Sequence, residues 1–356
     1  MKKQKTIFKS LAHAGLFSVL LTAIAAGILH VQEVPWHLAS AGLLVAFALV
    51  AAGFLFAGMQ GTAGSTVHAW TKAATRHPAR VAIATWVWAL VAYGFYALGV
   101  LFAWLPDADI TLRGSGIFLT MITAPLALGV AARGRTSNAR PLWFLGIIAL
   151  IWAPFDSGLL APVWPWPEGG AAYMLNVWIS CVLAISAMRI AGADMYFSTA
   201  SFRILPDLRD FAATMRDQLW FTPLAIGFGL LTGFFAWNPK IAPIWHYPVE
   251  ALGLYLTVAL PEELLFRGLM QPTLEKFAWP RALNRQLLAK WLTAIIFGLS
   301  HLNNDPVGDW RYVMLATMAG IAYANVYERT GRRSLAAPAL LHTGVDWLWS
   351  TFLRAF

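Results

Sequence analysis

Three clusters of ionisable residues lie inside apolar runs of this sequence, and their spacing defines the chemistry open to them. Glu262 and Glu263 precede Arg267, Phe297 precedes His301 by four positions, and His342 precedes Asp346 by four. Positions i and i+4 share a helix face, so Glu263 can pair with Arg267, Phe297 can pack on the face of His301, and Asp346 can reach toward His342. That pairing leaves Glu262, about 100° further round the helix, free for another task. A carboxylate, two imidazoles and a hydrogen-bonding partner equip a site to activate water against an acyl carbon. The Glu serves as general base, a His shares or orients the proton, and a His or Asp holds the oxyanion.

The elements that must position these groups follow from composition. Of 356 residues, 59% are hydrophobic and only 12% charged, against about 25% charged in soluble domains, which excludes an ordinary cytosolic enzyme and implies an all-α, polytopic transmembrane bundle. Spans of roughly 20 apolar residues are predicted at 11 to 30, 38 to 60, 81 to 104, 114 to 132, 142 to 162, 172 to 192, 218 to 238, 247 to 270, 289 to 302, 310 to 328 and 334 to 353. With the N-terminus cytoplasmic, 21 Lys and Arg fall in loops on that side and 4 on the other, Arg267 remaining within a helix, the alternation that the positive-inside rule requires. Lys2, Lys3 and Lys5 before an apolar run are read as flanking the first helix rather than as a signal peptide.

Counted from the cytoplasmic flank at the helical rise, Glu262 lies ~21 Å deep, His301 ~17 Å and His342 ~14 Å. Three helices thus present polar groups at comparable depth, and one site is the economical reading. Ionisable groups at such depth cost several kcal/mol each and mark function by default. Asp156 stands apart: it follows Pro154, where a carboxylate can satisfy backbone groups freed by the proline, with contact to substrate as the alternative. Asn303, Asn304 and Asp305 before Pro306 read as turn chemistry. The single cysteine, Cys181, excludes an intrachain disulfide and a thiolate metal cluster. The net charge of +9 fits topology and contact with the lipid bilayer, not nucleic acid.

At these motifs the sequence resembles the CPBP family of CAAX proteases and bacteriocin-processing proteins, also called Abi. Its members carry Glu-Glu-x-x-x-Arg, Phe-x-x-x-His and His-x-x-x-Asn or Asp on successive membrane helices. The resemblance covers roughly residues 250 to 350. It implies an intramembrane endopeptidase in which Glu262 and His301 activate water, His342 and Asp346 stabilise the oxyanion, and Glu263, Arg267 and Phe297 support the architecture. The type II CAAX prenyl endopeptidases of eukaryotes have Asn where this chain has Asp346. On this reading residues 1–193 hold about six accessory helices, 194–217 form a cytoplasmic connector, and 218–356 make the protease core.

The substrate is then a membrane-associated protein or peptide, processed at a CAAX-type terminus, a leader or a C-terminal sorting signal, with a dedicated partner enzyme as a further possibility. A proton-coupled transporter or an inactive protease-like scaffold are the alternative functions. Glu262, His301 and His342 could also compose a His₂Glu zinc site. The pairing with Arg267 and the lack of a His-Glu-x-x-His helix favour a metal-free glutamate mechanism, with no cofactor expected. The Lys-rich start and the content of Ala, Gly, Arg and Trp point to a bacterial plasma membrane.

Overall fold

The computed structural model describes residues 15, 18–30, 33–58, 73–74, 76–103, 110–135, 139–167, 170–192, 204–277, 284–304, 306–332 and 334–355. These form eleven long helices, one for each apolar segment, so the all-α class holds. The N-terminal lysines and the boundary near residue 194 lie outside the described residues. The chain divides into two compact units, Met1–Ser198 and Thr199–Phe356.

The first unit contains α1 (Ser18–His30), α2 (Leu38–Gly58), α3 (Pro78–Phe102), α4 (Leu112–Ala132), α5 (Arg140–Asp156) and α6 (Gly170–Ile190). Pro78 opens α3, where a fixed φ and a missing N–H cost nothing. Thr111 caps α4 by accepting from the Gly114 N–H at 2.9 Å. Helix α6 packs against α2, α3, α4 and α5 and is buried along nearly its whole length, with Leu175, Trp178, Leu183 and Met188 fully enclosed. Close approach depends on small residues. A Cβ on Gly42 of α2 would stand 3.1 Å from the Gly99 Cα of α3, and one on Gly129 of α4 would stand 3.2 Å from the Ala187 Cα of α6.

The second unit contains α7 (Leu208–Leu231), strand β1 (Phe235–Trp237), the helical run α8 (246–275), α9 (Arg285–Leu299), α10 (Trp310–Arg329), α11 (Ala336–Phe352) and strand β2 (Leu353–Ala355). Helix α7 starts ten residues before the apolar segment expected at 218, so the second half of the polar stretch 194–217 is helical. Asp207 and Asp210 nucleate it through a capping box. The segments 218–238 and 334–353 are expected to stay helical to their ends, and both instead finish in strand. Gly233 adopts φ +63°, stops α7, and turns the aromatic run that follows into β1, which pairs antiparallel with β2 with Trp237 opposite Leu353. Phe234, Phe235, Leu315 and Leu353 form a buried cluster there.

Among the described residues, three helices are long and apolar enough to cross a membrane: Pro78–Phe102, Leu112–Ala132 and Tyr173–Ile190. All belong to the first unit. In the second, α9 has 15 residues, ~22 Å against a hydrocarbon core of ~30 Å, and α8 is interrupted by charge. At one end of this unit Glu328 of α10 accepts from Lys290 of α9 at 2.8 Å, Gln271 of α8 at 3.3 Å and Arg332 at 3.3 Å, while Arg332 also bonds Glu275 at 2.7 Å. Buried Asp217 of α7 pairs with Arg329. Basic residues that count toward topology in the sequence therefore also fasten α7, α8, α9 and α10 together.

Candidate active site

The site begins with an irregularity in α8. Pro261 and Pro272 each lack an N–H, and each ring would collide with the carbonyl four residues back in an ordinary helix. Each is preceded by a π-helical stretch, Tyr255–Ala259 and Leu264–Met270. The Leu260 N–H reaches back five residues to the Tyr255 carbonyl, and that of Gln271 five to Phe266. The single α-helical turn between them, Leu260–Glu263, carries both glutamates. Widened turns of this kind recur at functional sites.

The two glutamates have opposite surroundings. Glu263 is fully buried and accepts from Arg267 Nη1 at 3.1 Å. Arg267, equally buried, donates from Nη2 to the Gly320 carbonyl at 2.8 Å and lies over the rings of Phe297 and Tyr323, 4.8 and 5.2 Å from their centroids. Gly320 makes this possible, since a Cβ there would sit 3.0 Å from the Ala294 Cα and 3.3 Å from Arg267 Nη2. Glu262, by contrast, is 30% exposed.

His342 joins the two. Its Nδ1 donates to Glu263 Oε1 at 3.1 Å, and its Nε2 faces Glu262 Oε2 at 3.8 Å and Asp346 Oδ2 at 3.4 Å. Only 3% of the imidazole side chain is exposed, against 31% for Asp346. Tyr323 stacks on its face at 4.5 Å, so the ring is held on every side except the one shared with Glu262 and Asp346. An imidazole nitrogen and two carboxylates meeting at one point need at least one proton among them to be compatible.

His301 is positioned differently from the sequence expectation. The ninth segment is read as helical to residue 302, but α9 ends at Leu299 and His301 stands in the turn beyond it. Its Nδ1 donates to the Phe297 carbonyl at 2.8 Å, satisfying one of the acceptors left open at a helix end. In the neutral ring Nε2 is then the lone-pair nitrogen. The Phe297 ring touches His301 at 4.8 Å and His342 at 5.7 Å, so Phe297 packs between the two imidazoles.

Glu262, Glu263, Arg267, Phe297, His301, His342 and Asp346 are thus gathered in the second unit. Asp156 closes α5 in the first, two residues after Pro154. Among the described residues, no three His, Cys, Asp or Glu side chains converge to hold a metal ion. Sequence reasoning missed Gly320, Tyr323, Tyr312 and Asn304. For Gly320, Tyr323 and Tyr312 the signal is the i, i+3 and i+4 spacing of small and aromatic residues along 312–323, which a core helix produces equally well, while Asn304 reads as turn chemistry alone.

Residues 244–348 match the sequence model of a family described as type II CAAX prenyl endopeptidase Rce1-like. No curated protein and no solved structure matches this chain.

Proposed function

We propose, for an integral membrane protein whose residues 244–348 form an Rce1-like CAAX protease domain, that Glu262 activates water against a peptide bond of a membrane-associated protein or peptide. The observation that carries this reading is the contrast within the Glu-Glu pair. Glu263 is sealed and neutralised by Arg267, whereas Glu262 is partly exposed and pairs with no arginine among the described residues, its Oε2 buried and 3.8 Å from His342 Nε2 without a hydrogen bond. In the proposed reaction Glu262 takes a proton from a water that is oriented by the lone-pair nitrogen of His301, and the hydroxide adds to the scissile carbonyl carbon. The oxyanion is met by a proton on His342 Nε2, and collapse of the tetrahedral intermediate breaks the C–N bond as Glu262 returns its proton to the leaving amine. Asp346 then acts through His342, holding Nε2 toward the oxyanion.

The substrate is expected to arrive with its own membrane anchorage, because a soluble peptide would lose backbone hydration on entering an apolar body. A prenylated C-terminus, a leader peptide and a C-terminal sorting helix all meet that condition. The test compares membrane proteomes of cells carrying wild type and Glu262→Gln, followed by turnover of the accumulating precursor with purified protein, with and without a chelator. Glu262→Gln and His301→Ala should each lower kcat by at least about 100-fold while leaving the melting temperature in detergent within a few degrees. Normal turnover by Glu262→Gln removes the general-base assignment, and loss of turnover on chelation restores the zinc alternative.

A further inference from the structure

His301 stands just past the end of α9, its N–H bonded to the Gly298 carbonyl at 3.1 Å, a backbone bond that does not fix its ring. Besides the neighbouring Ser300 Oγ, 3.3 Å from Nδ1, three contacts do so. One is the Nδ1 bond to the Phe297 carbonyl, and the second is the Phe297 ring. The third comes from α10: the ring of Tyr312 meets His301 at 5.1 Å and 60°. Tyr312 is itself hydrogen-bonded through its side chain to Asn304, and the Asn304 N–H donates to the His301 carbonyl at 3.2 Å. The three residues close a triangle. The Tyr312 ring also stacks on Trp349 of α11 at 5.7 Å and 15°, one turn beyond Asp346 and two beyond His342.

We propose that Tyr312 is a positioning residue that braces His301 against α11, with Asn304 as its tether. Tyr312 belongs to none of the three motifs. Its position matters because the two imidazoles are carried by different elements, one on a turn and one within a helix, and Tyr312 on α10 links them by touching His301 and stacking on Trp349. A ring in contact with both Phe297 and Tyr312 keeps the Nδ1 bond to Phe297, and that bond sets which nitrogen carries the proton. Loosening it lets the imidazole turn and populate the other tautomer.

The kinetic half of the proposal rests on the endopeptidase reading above, so the experiment has a readout that needs no substrate. Full-length protein labelled with ¹⁵N-histidine in detergent micelles gives long-range imidazole spectra, with the His301 signal identified by its loss in His301→Gln. Wild type should show a single Nδ1–H tautomer. Tyr312→Phe, which keeps the ring but loses the hydroxyl bonded to Asn304, should shift it slightly, and Tyr312→Leu should give a mixture. On an identified substrate Tyr312→Leu should lose roughly 10- to 100-fold in kcat, as misplacing a catalytic group by about 1 Å does, with KM changed less than about threefold. Asn304→Ala, at an exposed position, should shift the spectrum in the same direction by a smaller amount and serves if Tyr312→Leu does not fold. An unchanged tautomer in Tyr312→Leu, or in Asn304→Ala where that variant alone folds, overturns the proposal. A changed tautomer in a protein that cleaves no membrane substrate sustains the brace and removes the endopeptidase reading.

Discussion

The side chains of the site divide into a sealed pair and an open pair. Glu263 and Arg267 have no exposure, so removing one leaves a full charge without its partner in a medium of low polarity. Arg267→Ala should cost about 3–5 kcal/mol, measured by thermal unfolding in detergent, whereas Glu263→Leu combined with Arg267→Met should recover most of that loss. The double variant should still be inactive, since His342 Nδ1 loses the acceptor that orients it. Asp346 tests the open pair. Asn keeps an oxygen within reach of His342 Nε2 and Ala does not, so Asp346→Asn should retain turnover within about tenfold while Asp346→Ala falls further, as read from kcat. The motif residues were legible in the sequence because each pair sits at helical spacing, and the Glu263–Arg267 ion pair follows directly from it. Tyr312 and Asn304 were not. An aromatic residue on a core helix and an Asn in a turn have ordinary reasons to be there, and only the fold brings them to His301.

Helices place these residues by departing from ideal geometry at defined points. Pro261 and Pro272 follow two widened turns, and the glutamates stand on the one regular turn between them. Pro261→Ala restores a donor and removes the clash, letting the run relax toward α geometry and rotating Glu262 relative to His342. The melting temperature should therefore not fall, while kcat drops at least tenfold, the trade between stability and activity seen where a site depends on strained backbone. A variant as active as wild type would show that the π turns do not set the orientation of Glu262. Hydropathy located all eleven helices, because apolar length is a strong signal. It misplaced ends for local reasons: capping by Asp207 and Asp210 extended α7 into polar sequence, Gly233 stopped it early, and Ser300 ended α9 before His301. Such ends depend on single residues whose types are common in loops and helices alike.

The molecule as a whole combines a first unit whose helices suit a bilayer with a second whose helices carry the polar groups. Reporter fusions at residues 72 and 332 should fall on one side of the membrane and a fusion at residue 108 on the other, as the distribution of Lys and Arg requires. A cytoplasmic report from residue 108 would undo the count of spans. The first unit is also ordered about one axis, because α6 packs against α2, α3, α4 and α5. Seen in the order of synthesis, this axis is made last. The ribosome delivers the surrounding helices first, and no one helix joins α2, α3, α4 and α5 until residues 170–190 emerge. Pairs such as α2–α3 and α4–α5 can therefore form early, and the last step of assembly unites them. A nascent chain that stalls before residue 170 holds five helices, four of which lack the one that unites them, and the cell's quality-control proteases meet it in that form.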